Sequence, residues 1–322
     1  MAPFAFLVGR GRSGTTLLRA ILDSHPQLAI PDETHFLVGM AGMRDRFELG
    51  GGFCVGAFVD DLVARPGFAS FGLSPGEVRR HLEAAPPLDY AAAVRAVFAC
   101  YAASRGKTRY GDKTPLHVLH LPELARTFSD ARFVHIIRDG RDVALSYLDV
   151  PWGAESVEEA AFLWKRAVET GRRDGRALGP QRYLEVRYED LVDDPEGTVR
   201  QLCRFLELDF DPAMLRYYER AGEVAATMGR PETRTGLYRP PTKGLRDWRR
   251  QMEPGDVARF ELIAGDLLAT LGYGRASCGA GVGVRLGAGG RWLAVQGGRV
   301  RRRASKVRRR TLRRWRRWAS RR

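Results

Sequence analysis

Apolar positions in this chain recur in two periods. Phe4–Val8 is a short apolar run that gives way to a Gly-rich turn, Gly9-Arg10-Gly11-Arg12-Ser13-Gly14, after which Leu17, Leu18, Ile21 and Leu22 return at helical spacing. The pattern predicts strand, loop and helix in that order. Gln27–Ile30, closed by Pro31, reads as a short strand, and residues 37–108 are Gly-rich and then helical, with Val94, Val97, Phe98 and Tyr101 marking the clearest helix over Tyr90–Ser104. Ala131–Ile137 is a β-forming run that ends at Arg138-Asp139-Gly140-Arg141 and opens a helix carrying Val143, Ala144 and Tyr147. A further strand is predicted over Arg182–Arg187, then a helix from about Glu196 to Leu206 and a last one from about Gly255 to Leu271. Strands alternating with helices imply an α/β fold with a parallel sheet flanked by helices on both faces, and the Gly9-x-x-x-x-Gly14 turn after the first strand makes that sheet P-loop-NTPase-like. Such sheets hold ligands where the carboxyl ends of strands run into helices, here after Val8 and after Ile137.

Charge changes the picture at the far end. Of 53 Lys and Arg against 38 Asp and Glu, 17 basic residues and no acid lie from Arg275 onward, so residues 1–274 are nearly neutral. Gly279–Gly298 contains eight glycines and reads as a linker. Beyond it Val300, Ala304, Val307, Thr311, Trp315 and Trp318 fall three or four apart among arginines, a basic amphipathic helix. The expected organisation is a domain over 1–274 with 37–108 as a variable, substrate-facing insertion, a linker over 275–299 and a tail over 300–322. Three readings of the tail are open: an anionic membrane surface, nucleic acid, or a solubilising segment, and the apolar period favours membrane over nucleic acid.

The four cysteines, Cys54, Cys100, Cys203 and Cys278, have no metal-type spacing and read as buried free thiols. No basic leader with a long apolar run precedes the first strand, and no run nears the ~18 apolar residues of a membrane span. A cytoplasmic location is expected, with the tail able to hold the protein at the inner membrane face.

The first junction carries the chemistry. Backbone N–H groups of a Gly-rich turn and the positive end of the following helix suit an anion. Gly9-x-x-x-x-Gly14-Thr15-Thr16 fits the nucleotide-triphosphate loop except that Thr15 stands where that loop has Lys. Without the Lys, hydrolysis of a Mg-triphosphate is disfavoured. Arg12 with the hydroxyls of Ser13, Thr15 and Thr16 instead suits a 5′-phosphosulfate, with no metal required.

The run Arg12-Ser13-Gly14-Thr15-Thr16-Leu17-Leu18-Arg19-Ala20-Ile21-Leu22-Asp23-Ser24-His25-Pro26 resembles the donor loop and first helix of sulfotransferases that use 3′-phosphoadenosine 5′-phosphosulfate (PAPS), above all the tyrosylprotein and bacterial carbohydrate or lipid branches. The resemblance extends over roughly residues 4–272, without a match in 37–108. It implies a sulfotransferase that moves a sulfuryl group from PAPS to a hydroxyl of a carbohydrate, lipid-linked or secondary-metabolite acceptor. Residue by residue, it makes Arg12, Ser13, Gly14, Thr15 and Thr16 the 5′-phosphosulfate cradle, and Arg138 with Ser146 the 3′-phosphate pair. Glu33, in the dipeptide Glu33-Thr34, becomes the general base, effective if burial or hydrogen bonding brings its pKa toward the working pH; Asp32 and His35 are its nearest substitutes. Gly111-Asp112-Lys113-Thr114-Pro115 resembles a Lys-Thr-Pro signature, with Lys113 neutralising the bridging oxygen. Pro115 stands where cytosolic small-molecule sulfotransferases carry a catalytic His, which leaves His117 as a further candidate base. Thr242–Arg249 resembles the late loop that closes on the 3′-phosphate through Lys243 and Arg246, though its second glycine is lacking. Two alternatives stay open at this point: a nucleotide or small-molecule kinase, which would need Mg²⁺ and the missing Lys, and an adaptor acting through the basic tail.

Overall fold

Phe4, Phe6 and Val8 enter one apolar cluster, while Ala5 and Leu7, between them in sequence, enter another. A strand that buries both faces in this way belongs inside a parallel sheet. The computed structural model describes residues 2–220, 235–242 and 246–276. It divides into two compact units, Met1–Arg138 with Arg166–Leu245, and Asp139–Lys165 with the described residues from Arg246 on.

The first unit holds a five-stranded sheet built from β1 (Ala5–Gly9), β2 (Leu28–Ala29), β3 (Arg109–Lys113), β4 (Arg132–Ile137) and β5 (Tyr183–Arg187). The order is β2-β3-β1-β4-β5, with every neighbouring pair parallel. β1 is therefore the switch point, with the earlier strands on one side and the later ones on the other. Leu7 lies opposite Lys113 and Gly9 opposite Ile136, so the chain leaves β1, β3 and β4 at one edge of the sheet.

The α-helices of nine residues or more among the described residues are α1 (Thr15–Asp23), α2 (Val55–Val63), α3 (Pro75–Ala84), α4 (Tyr90–Ser104), α5 (Gly140–Leu148), α6 (Val157–Ala177), α7 (Pro195–Leu206) and α8 (Pro254–Thr270). On one face of the sheet α1 and α7 bury Leu18, Ile21, Val199 and Leu202 against Ala5, Leu7, Val134 and Ile136. On the other, Phe4 meets the rings of Phe98, Tyr110 and Phe128 edge-on with centroids 5.0, 5.0 and 5.1 Å away. Phe47, Phe58, Phe71, Val94 and Phe98 belong to this same cluster. The 37–108 segment is thus part of the core that supports the sheet, not an appendage to it.

In the second unit Arg141 is fully buried. Its guanidinium pairs with Asp139 and Glu261, each at 2.7 Å, and lies 3.6 Å from the Trp248 ring centroid. Asp139 also accepts from Trp248 Nε1 at 3.1 Å and Asp142 from the Trp248 amide at 2.9 Å. Trp248 is the hub of this charge cluster.

The sequence pattern and the structure differ in a few places. β3 was not expected, and the Gln27–Ile30 strand shortens to Leu28–Ala29. Of the thiols expected to be buried, Cys203 is; Cys54 and Cys100 are free but half-buried, since each lies on or beside a helix face turned partly to water. Cys278, the Gly-rich linker and the amphipathic tail lie outside the described residues. Among those described, no helix is long and apolar enough to cross a membrane.

Candidate active site

The loop after β1 is shaped by what it lacks. Gly9 has φ +154°, and a Cβ there would stand 2.6 Å from the Ile136 carbonyl oxygen. Gly14, the N-cap of α1, has φ +95° and supplies no side-chain cap; the first turn of the helix carries no acidic residue. The positive end of α1 is therefore uncompensated by the chain itself. Ser13 is buried, its amide donates to Arg10 O at 3.1 Å, and its Oγ is one of the buried side-chain atoms with no hydrogen-bond partner. Arg12 takes φ +71°, a conformation uncommon for a side-chain-bearing residue, and is half-buried. Thr15 is buried and Thr16 half-buried on the first turn.

Tyr188, directly after β5, packs on this loop. A Cβ at position 14 would be 2.4 Å from its ring, and the Arg138 guanidinium lies 4.4 Å from the ring centroid. Gly14→Ala is accordingly expected to displace Tyr188 or the loop and to abolish measurable binding of 3′,5′-bisphosphoadenosine in calorimetry; binding at wild-type strength would show that the loop tolerates the shift. Ser146 is buried on α5 in the second unit, and Arg246 there pairs with Asp149. Lys243 lies outside the described residues.

A second group of charges gathers where β3 ends. Lys113 is fully buried, and its Nζ donates to Asp32 Oδ1 at 2.7 Å and to Glu33 Oε1 at 3.0 Å. Glu33 Oε2 meets His35 Nε2 at 3.0 Å. Beneath this pair lies a buried network: Thr34 Oγ1 donates to Asp112 Oδ1 at 2.6 Å, Thr114 Oγ1 to the same oxygen at 3.3 Å, the Thr34 amide to Thr114 Oγ1 at 3.2 Å, and His117 Nδ1 lies 3.0 Å from Asp112 Oδ2. The network joins the neighbour of Glu33 to both neighbours of Lys113, and so sets the distance between the two. From the opposite side Gly67 presses on the same segment, where a Cβ would fall 1.8 Å from the Thr34 carbonyl oxygen, and Ser70 Oγ donates to Glu33 O at 3.4 Å.

Burial pushes the Glu33 carboxyl up, but the hydrogen bonds from His35 and Lys113 and the Lys113 charge outweigh it and hold the group at about 2. The condition set for Glu33 as a base, a pKa near the working pH, is not met in the resting structure. The resting carboxylate is ionised, with Lys113 on one oxygen and His35 on the other. His35 is raised by its hydrogen bond to Glu33 and by the charges of Glu33 and Asp112, against burial and Lys113. His117, the further candidate base, is buried on Asp112 as part of the supporting network.

The chain matches the model of the sulfotransferase family over residues 3–212. It belongs to the sulfotransferase family. The matched span contains the anion loop, Glu33, Lys113, Arg138 and Ser146, and stops short of Arg246. This sulfotransferase is 28% identical over 282 residues to protein-tyrosine sulfotransferase 1 of Danio rerio, across 84% of this chain and 72% of that protein. It is 26% identical to the protein-tyrosine sulfotransferase of Drosophila melanogaster, of which it spans 52% of the length. The sulfotransferase domain of the Synechococcus PCC 7002 olefin synthase superposes with a TM-score of 0.61 at 26% identity, covering 84% of this chain and 95% of that domain. Family membership decides for sulfuryl transfer over the kinase reading.

Asp112, Thr34 and Tyr188 were not singled out by the sequence of this sulfotransferase. Asp112 and Thr34 each adjoin a residue that was, which is the signal that could have found them. Tyr188 had none, since its place against Gly14 comes from the packing of β5 beside β4.

Proposed function

We propose that this sulfotransferase transfers the sulfuryl group of PAPS to a hydroxyl acceptor, with Glu33 as the base. The observation that carries the reading is Lys113, a buried ammonium held between Asp32 and Glu33 at the end of the strand next to the anion loop. The loop fits the donor's 5′ end: the Ser13 hydroxyl is buried with its hydrogen bonding unmet, and the start of α1 has neither cap nor acid to answer its charge. Arg12, Ser13, Gly14, Thr15 and Thr16 would hold the phosphosulfate, and Arg138 the 3′-phosphate. The bound donor supplies an electrophilic sulfur and a phosphate leaving group.

Glu33 takes the acceptor's hydroxyl proton as the new O–S bond forms and the bond from sulfur to the donor's phosphate oxygen breaks. Lys113 neutralises that leaving oxygen. On turning a hydrogen bond toward it, Lys113 releases Glu33 Oε1, and the carboxylate's proton affinity rises from its resting level when the proton must be taken. Among the described residues no cluster of His, Cys, Asp and Glu could hold a metal ion. For the acceptor, a carbohydrate, lipid-linked or secondary-metabolite hydroxyl stands beside the tyrosyl hydroxyl in the names of the two relatives.

Calorimetric titration with 3′,5′-bisphosphoadenosine and with ADP, each with and without Mg²⁺, tests the donor assignment. The bisphosphate should bind more tightly than ADP and without the metal, because Arg138 reads its additional phosphate. Equal affinities, or a strict need for Mg²⁺, would overturn it.

A further inference from the structure

The two oxygens of Glu33 face different surroundings. Oε1 takes a hydrogen bond from Lys113, whose side chain is fully buried, whereas Oε2 meets His35, whose side chain is 53% exposed. His35 reaches that position with φ +55°; Arg12 and Glu207 are the other non-glycine residues of positive φ among those described. A histidine held in left-handed backbone is strained unless its neighbours fix it there. They do so here from two sides, through the hydrogen bonds of Thr34 to Asp112 and Thr114 and through the close approach of Gly67.

We propose that His35 is a positioning residue for Glu33: its Nε2–H holds the outer oxygen, Oε2, and leaves the inner oxygen, Oε1, to receive the acceptor's proton. The role rests on Glu33 being the base. The charged and titratable groups around His35 are Glu33 from its own segment and Asp112 and Lys113 from β3; those around Glu33 are His35, Asp32 and Lys113. With Lys113 also drawn to Asp32, a Glu33 deprived of His35 would turn about its side-chain bonds and present either oxygen.

The test uses the full chain with ¹³C-labelled glutamate carboxyls and histidine rings, following each group's titration by NMR. His35→Asn is the informative variant, because Asn tolerates left-handed backbone and is too short to reach Oε2. Loss of a charge-assisted hydrogen bond should raise the proton affinity of Glu33 roughly 10-fold. In Glu33→Gln the His35 midpoint should fall back toward the ordinary histidine range, a readout that remains if His35→Asn fails to fold. In turnover of PAPS with a tyrosine-containing peptide, His35→Asn should lower kcat with little change in KM for PAPS, and His35→Gln, which keeps a donor at that reach, should recover part of it. An unmoved Glu33 midpoint in His35→Asn, beside an inactive Glu33→Gln, overturns this role alone. Retained turnover in Glu33→Gln overturns Glu33 as base and the role with it.

Discussion

Glu33→Gln should lower kcat by about 10²–10⁴-fold, the effect of removing a general base, while binding of 3′,5′-bisphosphoadenosine stays near its wild-type strength. The substitution preserves side-chain size and leaves Lys113 with its 2.7 Å bond to Asp32, so the buried ammonium keeps a counter-charge and the fold keeps its support. None of the anion-loop residues, nor Arg138 or Ser146, is among the described contacts of Glu33, which are Lys113, His35 and Ser70. Single-turnover kinetics with PAPS and calorimetry with the bisphosphate separate chemistry from binding. Wild-type turnover in a regime limited by chemistry would move the base to Asp32 or His35.

Lys113→Met should be the more damaging change, since it removes both the charge that meets the leaving oxygen and the cation that separates two carboxylates. Stripping one partner from a buried ion pair costs about 3–5 kcal/mol, and here the lower end applies because Glu33 is 34% exposed. The pH dependence of that loss has a definite sign. In the wild type Glu33 is held at about 2 against an ordinary 4.5, so its contribution to stability is complete above about 4.5 and is lost as the pH falls toward 2. In Lys113→Met a main cause of the depression is gone, and the variant should lose less stability than the wild type across that window. Denaturant melts at pH 7 and pH 3 measure this directly: a deficit that narrows on acidification agrees with the geometry, and one that stays constant does not.

How much of this could be read in the sequence follows from where each group's partners lie. β1 is a continuous apolar run and β4 is one but for Arg132 and His135, because the sheet is covered on both faces there, and α1, α4, α7 and α8 show their buried stripes. β3 was hidden because Gly111-Asp112-Lys113 is polar where a central strand is ordinarily apolar. Its charges are tolerated in the interior through Asp32, Glu33 and Thr34, some eighty positions away in sequence. The same distance hid the state of Glu33. Its identity could be inferred from the resemblance around Glu33-Thr34, but its low pKa depends on a left-handed turn at His35 and on the register of β3, and neither leaves a periodic trace.

The contact between Gly67 and the Thr34 carbonyl oxygen bears on how such enzymes can be recombined. The 37–108 stretch, read from the sequence as substrate-facing, is the part of the chain that invites grafting to alter an acceptor preference. Yet it touches the backbone beside Glu33 at a point with no room for a single methyl group. A transplanted segment that lacks glycine there would move the base by the width of its own Cβ, whatever surface it offered to the acceptor. Any preference encoded in that stretch is therefore inherited together with the placement of the base, and a chimera that ignores the glycine should lose its rate before its new specificity can be seen.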